Sequence, residues 1–355
     1  MARRIVGSLI AVTLIVVVLA WSSSALAAPA GRVYVVSQDG AAVSVIDIET
    51  QELIATIDLT ALGFNATSKP HHVAVEPDGS HWYVSLIADW RVLKFDRDNN
   101  LVGQAEFETP GMLSLDPIAD LLYVGRSMAA VSPPTRIGVI DRDSMAIDEV
   151  DVFFARPHAL IANPNGEVVY TASLAENRIA TVEPSEGGLE LLDVPGDTHT
   201  FVQFAISPDG DTMVTGGQIS GEILVFDISD ARNPSLQKRF ALGGQPWHPV
   251  YSADGSLVYF PQRTANAVAV IDTSTWELVD QIGGGGLYEP HGSAISGDGR
   301  WLFVSGRNTA GEYGDLAEGA KPPGTLNIID TGSRQVVKVF EVPAYAAGVG
   351  ASAEN

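Results

Sequence analysis

The sequence predicts an all-β protein, a seven-bladed β-propeller of four-stranded antiparallel blades, formed by a single domain over residues 28 to 355. Two observations predict this fold. A unit of about 40 residues, a length typical of propeller blades, recurs along the chain. The chain also starts in the middle of one unit and ends with the piece that this first unit lacks. The repeat and its incomplete ends therefore indicate a closed ring.

Each unit contains a tight turn followed by a pair of residues that is usually aromatic and then β-branched. The turn is Pro-Asp-Gly or a variant, because a two-residue hairpin needs positive φ, which Asp-Gly and Asn-Gly adopt at low cost. In every copy the second residue of the pair lies seven positions after the first residue of the turn. The six copies begin at Pro77, Pro117, Pro164, Pro208, Ala253 and Gly297.

An apolar run that ends in an aspartate follows each pair, and the aspartate is expected to cap the next turn through its side chain. Glu183 replaces the aspartate in one unit. Each unit thus has four short strands, a sheet too small to bury both of its faces unless similar sheets pack around an axis. The aspartates are Asp47, Asp96, Asp141, Asp227, Asp272 and Asp330.

The two ends of the chain predict how the ring closes. "GRVYVVS" from Gly31 reads as a second strand with no first strand before it, and "VPAYAAGVG" near the C-terminus reads as a first strand with no successors. The C-terminal strand should complete the N-terminal blade. Six whole units and one shared unit make seven blades.

The "YVS…VxVID" and "PDG…YV" units resemble YVTN-type propeller repeats over essentially the whole mature chain. That superfamily also includes the lactonase-like propellers and the propeller of nitrous-oxide reductase. The resemblance implies the propeller fold. It implies little about function, because one fold carries many unrelated activities.

The first residues have the composition of a secretory signal. Arg3 and Arg4 precede an apolar run from Ile5 to Ala20, and small residues stand at Ala25 and Ala27. This order predicts a signal peptide over residues 1–27 with cleavage after Ala27, and an uncleaved anchor is the alternative. The mature protein is expected to be extracytoplasmic, periplasmic or secreted, and soluble. With no cysteine, it has neither a disulfide nor a lipid attachment site.

The chain is strongly acidic, with 21 Lys and Arg against 43 Asp and Glu and a net charge of −22. A field of this sign repels phosphate backbones and anionic lipid, so nucleic acid and membrane surfaces are not expected partners. Cations and basic proteins fit better, and a protein partner on the acidic rim is one hypothesis. We expect a monomer.

The six turns align a column of residues at the entrance of the innermost strands, where side chains can project into the axial funnel. Six positions before each turn stand His71, Gly111, His158, Val202, Trp247 and His291, with Ala344 assigned to the closing strand. A proline precedes most of them, as suits a strand edge that has no partner. His71, His158 and His291 form the predicted site.

Several neutral imidazoles on one face are typical of copper or zinc sites. His248 and His199 lie near the column and are further candidate ligands, whereas His72 is expected to pack between blades. The resemblance to nitrous-oxide reductase implies a copper site at the hub. This chain lacks the cysteine-bearing domain of that enzyme, so the reductase reaction is not implied. Because the three histidines come from blades 2, 4 and 7, a shared metal requires a narrow funnel.

Three arginines follow the aromatic pair in loops on the same face: Arg126, Arg263 and Arg307. They predict a site for a small anionic ligand, because guanidinium pairs well with carboxylates. "KPHHVAVEPDG" and "RPHALIANPNG" also resemble stretches of lactonase-like propellers, which implies hydrolysis of a sugar lactone with a histidine as general base. The sequence favours binding of a transition metal, copper or zinc, in the funnel, with lactonase-like hydrolysis of a small anionic substrate and a non-catalytic protein-interaction platform as the alternatives.

Overall fold

Seven four-stranded antiparallel sheets form the protein, which confirms the predicted all-β, seven-bladed architecture. The structure is a computed structural model that describes residues 31–127, 131–185, 187–314, 316 and 318–352. The predicted signal segment, residues 1–27, lies outside these described residues. Over the described ranges, no helix has the length and apolar character needed to cross a membrane.

The strands are short, mostly six residues, and follow one another through hairpins within each blade. The first three blades contain β1 (Arg32–Ser37), β2 (Ala42–Asp47), β3 (Glu52–Asp58), β4 (Pro70–Val75), β5 (His81–Leu86), β6 (Arg91–Asp96), β7 (Leu101–Glu106), β8 (Pro110–Leu115), β9 (Leu121–Arg126), β10 (Arg136–Asp141) and β11 (Ile147–Asp151). A short 3₁₀ helix, Leu59–Leu62, connects β3 to β4.

The remaining blades continue the same order around the ring. Their strands are β12 (Pro157–Ala162), β13 (Val169–Ser173), β14 (Arg178–Glu183), β15 (Gly188–Asp193), β16 (Phe201–Ile206), β17 (Thr212–Gly217), β18 (Glu222–Asp227), β19 (Ser235–Ala241), β20 (Val250–Tyr251), β21 (Leu257–Gln262), β22 (Ala267–Asp272), β23 (Glu277–Gly283), β24 (Pro290–Ile295), β25 (Trp301–Gly306), β26 (Gly324–Asp330), β27 (Gln335–Val342) and β28 (Ala346–Ala351).

The closing strand β28 completes blade 1 as predicted. It pairs with β1 in antiparallel register, with Tyr34 opposite Gly350 and Val35 opposite Val349. The sheet order of this blade is β28-β1-β2-β3. The chain ends are therefore joined by backbone hydrogen bonds, and no open sheet edge interrupts the ring at this point.

Apolar side chains from the facing sheets of neighbouring blades form the core. Between blades 1 and 2, the ring centroids of Tyr34 and Trp82 are 4.9 Å apart. Trp82 also stacks on Phe95, at a ring-centroid distance of 4.1 Å. Trp82 is fully buried. Removing a buried aromatic side chain of this size typically costs about 3–5 kcal/mol, so the inter-blade clusters stabilise the ring as a whole.

The aspartates that end the third strands cap the following turns, which confirms their predicted role. Asp47 Oδ1 accepts a hydrogen bond from the Thr50 backbone N–H at 2.8 Å, and Asp330 Oδ1 accepts one from Ser333 at 2.7 Å. These bonds hold the hairpins on the face away from the loops that enter the innermost strands.

Candidate functional site

An axial cavity of about 580 Å³ lies at the narrow end of the funnel. Seven of its lining residues occupy one equivalent position, directly after the second strand of each blade. We call them the loop ring. In blade order they are Gln38, Ile87, Ser127, Leu174, Gln218, Arg263 and Arg307.

A second set of equivalent residues precedes the innermost strand of every blade, and all seven adopt the left-handed conformation with φ between 46° and 62°. None is a glycine, and a non-glycine residue in this region costs roughly 1–2 kcal/mol. We call these residues the entry ring: Lys69, Thr109, Arg156, Thr200, Gln245, Glu289 and Tyr345.

The floor of the cavity is formed by residues two positions after the entry ring: His71, His158, Val202, Trp247 and His291. Blade 3 has Gly111 here, where a Cβ atom would lie only 2.8 Å from the carbonyl carbon of Arg126. In blade 1 the strand register places Ala347 at this position, because Ala346 pairs with Ser37 as Pro70 pairs with Leu86. The sequence assignment of Ala344 was wrong by three residues.

The funnel is narrow enough for histidines of non-adjacent blades to meet. His71 Nε2 lies 3.2 Å from His158 Nε2, although blade 3 separates their strands. Glycines beside the floor allow this approach. A Cβ at Gly348 would lie 2.7 Å from the His71 carbonyl oxygen, and one at Gly292 would lie 2.5 Å from the Ala347 carbonyl oxygen. Small residues thus bring the innermost strands together.

A directed hydrogen-bond chain crosses the floor. The Gln38 amide nitrogen donates to His71 Nδ1 at 2.7 Å, so the proton of this imidazole is on Nε2. His158 Nδ1 donates to the Val202 carbonyl oxygen at 2.9 Å, which leaves its Nε2 unprotonated. His71 Nε2–H therefore donates to His158 Nε2. The pair is fully satisfied with both rings neutral.

His248 and His291 contain nitrogens without a partner. Their ring centroids are 4.7 Å apart, and His248 Nε2 and His291 Nδ1 are buried with no hydrogen-bond partner among the described residues. His72 bonds to the neighbouring blade, as expected of a residue that packs between blades, and its ring also approaches His248 across the hub. Its Nδ1 accepts a hydrogen bond from the Leu113 N–H of blade 3 at 3.2 Å, and its ring is 6.0 Å from that of His248 of blade 6.

Burial keeps these imidazoles neutral. Desolvation lowers the pKa of His158 to about 4 and that of His72 to about 3. Burial also lowers the pKa of His71, His248 and His291 well below the ordinary value of 6.5, and repulsion between neighbouring imidazoles adds to the effect. Neutral imidazoles can accept protons or ligate a metal.

His199 lies apart from this cluster. Its Nδ1 bonds the Ser220 hydroxyl at 3.0 Å and its Nε2 donates to the Pro195 carbonyl oxygen at 3.2 Å. Both nitrogens are therefore used within the connection between blades. Considering only the described ranges, no group of three or more histidine, aspartate or glutamate side chains is arranged to hold a metal ion.

Arg263 and Arg307 both line the cavity and both flank the indole of Trp247. The guanidinium carbons lie 5.7 Å and 5.1 Å from the ring centroid. Arg307 is only 8% exposed, and one of its terminal nitrogens donates to the Tyr345 hydroxyl. Burial, with repulsion from Arg263, lowers the pKa of Arg307 to about 10. Two like charges thus contact the same indole, and the Arg307 side chain is the desolvated one of the two.

Arg126 lies outside the cavity lining. Its guanidinium is held by Glu149 at 2.9 Å and packs 3.6 Å from the ring centroid of Phe107. Spacing along the sequence distinguishes Arg126 from the two cavity arginines. Arg126 is three residues after its aromatic Tyr123, whereas Arg263 and Arg307 are four residues after theirs. Because adjacent strand residues point in opposite directions, this difference of one residue turns the side chain of Arg126 away from the cavity.

The cavity is cationic within an acidic protein. Its lining includes Lys69, Arg156, Arg263 and Arg307 and contains no aspartate or glutamate. Glu289, behind the lining, pairs with Arg263 at 3.4 Å and also accepts from Thr309. Glu289 and Asp39 also attract Arg307, but they do so at longer range, and no ion pair of Arg307 is found among the described residues.

Structural comparisons place similar propellers beside this chain. A functionally unknown protein from Desulfotomaculum acetoxidans DSM 771 superposes with a TM-score of 0.73 at 16% identity, over 91% of this chain and 99% of that chain. Hydrazine synthase from Kuenenia stuttgartiensis gives 0.63 at 18% identity, over 79% and 89% of the two chains. Dihydro-heme d1 dehydrogenase NirN in complex with DHE gives 0.59 at 16% identity, over 90% and 74%.

Sequence comparison adds no relative: no family model matches the chain, and no curated protein matches it. The identities to the solved structures are below the level at which function is shared, so the likeness concerns the backbone. What the comparisons and the geometry together establish is that the chain is a seven-bladed β-propeller similar in fold to these three proteins.

Proposed function

We propose that the axial cavity binds a small organic anion through Arg263 and Arg307. One observation carries this proposal: Arg307 is almost completely buried, and its Nε and Nη1 groups have no hydrogen-bond partner among the described residues. Leaving two N–H groups of a buried guanidinium without acceptors is costly, because their desolvation is not repaid. A carboxylate in the cavity would supply these two acceptors and place a negative charge in direct contact with the guanidinium.

The surroundings of Arg307 support the same ligand class. Trp247 Nε1 and Arg263 Nε are also buried without an acceptor, so three side chains at this wall offer unused donors. The cationic lining contrasts with the net charge of −22 for the whole chain. A cavity of about 580 Å³ lies within the usual range for small-molecule sites.

Calorimetric titration of the purified protein with acetate, hexanoate and benzoate at low ionic strength tests the proposal. We expect one bound carboxylate per chain and a 10- to 100-fold loss of affinity in Arg307→Gln, because a charge-assisted hydrogen bond contributes about 1.5–3 kcal/mol. Arg300→Gln, which changes an exposed arginine outside the cavity, should bind as the wild type does. Equal affinity in Arg307→Gln, or no binding of any anion, would refute it.

A transition metal on the cavity floor is a second candidate, favoured by the pair of facing imidazoles. The 3.2 Å between His71 Nε2 and His158 Nε2 is close to the ~3.3 Å that separates two ligand nitrogens around a tetrahedral Zn²⁺. Copper and zinc both accept unprotonated imidazole nitrogens, so binding would require the Gln38 amide to turn and its oxygen to accept from His71 Nδ1–H, which frees Nε2 of its proton. A third ligand would require the ring of His291 or His248 to turn, since their unpartnered nitrogens are not gathered around the same point.

Metal analysis of the purified protein tests this second candidate. Stoichiometric copper or zinc that is lost in both His71→Ala and His158→Ala would support it. His199→Ala should keep the metal, because both nitrogens of that imidazole are bonded within the blade connection. Background metal content in the wild type, after incubation with each ion and desalting, counts against it.

The other functions that the sequence leaves open remain proposals without an observation of their own. Lactone hydrolysis would use a floor histidine as general base, and a platform would use the acidic rim. Membership of the YVTN-type repeat family likewise rests on the turn and strand motifs. Product analysis with a sugar lactone, compared between wild type and His158→Ala, separates hydrolysis from binding alone.

We also propose that the protein is exported and acts outside the cytoplasm. This rests on residues 1–27, whose charged start, apolar run and small residues have the order of a signal peptide. N-terminal sequencing of protein recovered from extracytoplasmic fractions should begin at Ala28. Recovery of the full chain in the cytoplasm would contradict export.

A further inference from the structure

The loop ring divides into two arcs of different chemistry. Going round the axis, blades 5, 6, 7 and 1 contribute amide and guanidinium groups, while blades 2 to 4 contribute two aliphatic side chains and one serine. The polar arc consists of Gln218, Arg263, Arg307 and Gln38, and the apolar arc consists of Ile87, Ser127 and Leu174.

Further aliphatic groups extend the apolar arc. Val202 of the floor and Ile219, next to Gln218 in blade 5, also line the cavity. Ile219 is 62% exposed, which is unusual for isoleucine at the mouth of a cavity. A wall of this composition gains free energy when it is covered by apolar atoms, at roughly 25 cal/mol per Å². A ligand that contacted only the polar arc would gain nothing from such a wall.

We infer that the ligand is an amphiphilic monocarboxylate, with its acid group at Arg307 and Arg263 and an alkyl or aryl body against Ile87, Leu174 and Ile219. The inference rests on the proposed function, because it assigns the acid group to the same arginines. It adds the class of the ligand: an organic acid whose remaining atoms are apolar.

The two other cations of the lining do not call for a second acid group. Lys69 is exposed to solvent, where its ammonium is hydrated and an added ion pair contributes about 1 kcal/mol or less. Arg156 is already engaged with another group of the protein. The buried guanidinium with unused donors is on the opposite side, in blade 7. Charge therefore anchors one end of the ligand only.

A chain-length series tests the inference. Titration with butanoate, hexanoate and octanoate should show affinity rising by about fourfold for each methylene buried, as expected from about 0.8 kcal/mol per CH₂. The diacids succinate, adipate and suberate should bind more weakly than the monoacids of equal length, because their second carboxylate would have to be desolvated against Ile87 and Leu174. Hexan-1-ol, which lacks the charge, should bind at least 10-fold more weakly than hexanoate.

Variants separate the two proposals. Leu174→Asn should flatten the dependence on chain length by lowering octanoate affinity much more than butanoate affinity. Ile219→Asn, at an exposed position that tolerates polar residues, provides the same readout if the first variant folds poorly. Suberate binding as tightly as octanoate, or affinity independent of chain length, overturns the inference while Arg307-dependent binding of carboxylates still stands. If no carboxylate binds and Arg307→Gln has no effect, the proposed function itself fails.

Discussion

At the scale of single residues, Gln38 decides which nitrogen of His71 carries the proton. Its amide nitrogen donates to His71 Nδ1, so Nε2–H points at His158. In Gln38→Glu the new carboxylate would accept from Nδ1–H instead, and two lone pairs would face each other across 3.2 Å. We expect the pair to take up a proton more readily, so that its pKa rises. Titration of the ¹⁵N imidazole signals measures this shift.

Gln218→Glu is the matched control for that variant. Gln218 holds the same loop-ring position in blade 5 and also lines the cavity, but His71 bonds to Gln38 and not to it. The control adds the same charge to the same cavity but leaves the hydrogen bonds from Gln38 to His71 and from His71 to His158 unchanged. An equal rise in both variants would mean that general electrostatics, and not the Gln38–His71 bond, determines the protonation of the pair.

The arginines show what sequence spacing can resolve for single residues. Residues four positions after the first member of the aromatic pair face the cavity in all seven blades, from Gln38 after Tyr34 to Arg307 after Phe303. Counting that offset predicts Arg263 and Arg307 and excludes Arg126. The ion-pair partner of Arg126 is Glu149 of β11, at the outer side of blade 3. No local sequence pattern predicts that contact.

At the scale of the strand, Gly111 determines how closely β8, the innermost strand of blade 3, can approach β9, the second strand of the same blade. A Cβ here would lie 2.8 Å from the Arg126 carbonyl carbon and 2.9 Å from its oxygen. Backbone atoms cannot move aside like a flexible side chain, so Gly111→Ala should lower the free energy of unfolding by about 1–3 kcal/mol. Urea unfolding followed by tryptophan fluorescence measures the loss.

Gly283→Ala is the control for the strand prediction. Gly283 ends β23, and no atom lies within 4 Å of where its Cβ would be. The substitution should be neutral or slightly stabilising, since alanine loses less backbone entropy on folding than glycine. A loss at Gly283 equal to that at Gly111 would show that close packing at the hub is not the cause.

The innermost strand of blade 1 shows why a pattern can locate six strands and misplace the seventh. The six others precede a turn motif that serves as an anchor, whereas β28 is followed by no turn. Pro343 resembles the prolines that open the other strands, but the residue with φ of 62° is Tyr345, so the strand begins at Ala346. Register in the closing blade depends on pairing with β1, which is remote in sequence.

At the scale of the whole molecule, the repeat makes the number of blades and their connectivity predictable from the sequence. The distance between the innermost strands at the hub cannot be predicted in this way. Each turn marks one blade, and two incomplete ends predict closure. The meeting of His71 with His158 depends on how closely the innermost strands approach, and Gly292 and Gly348 permit close approach between neighbouring blades. A single sequence shows glycines but not which backbone each one faces.

The buried imidazoles predict how stability of the whole propeller depends on pH. In the unfolded chain a histidine titrates near 6.5, whereas in the folded protein burial holds the pKa of His158 at about 4 and that of His72 at about 3. Between pH 6.5 and 4 the unfolded state therefore binds protons that the folded state does not. The free energy of unfolding must fall as the pH falls, by up to about 1.4 kcal/mol per pH unit for each such histidine.

Urea unfolding at pH 7.5, 6.0 and 5.0 should thus show stability that is nearly constant above pH 7 and decreases steeply below 6.5. His158→Gln removes one of these imidazoles and should reduce the slope between pH 6 and 5 by up to about 1.4 kcal/mol per pH unit, whatever it does to stability at pH 7.5. The hydrogen bonds from Ser333 lower the pKa of the capping residue Asp330 below its ordinary value, so this carboxylate contributes little in the same window. A flat profile from pH 7.5 to 5.0 in the wild type would mean that the hub histidines are protonated in the folded protein.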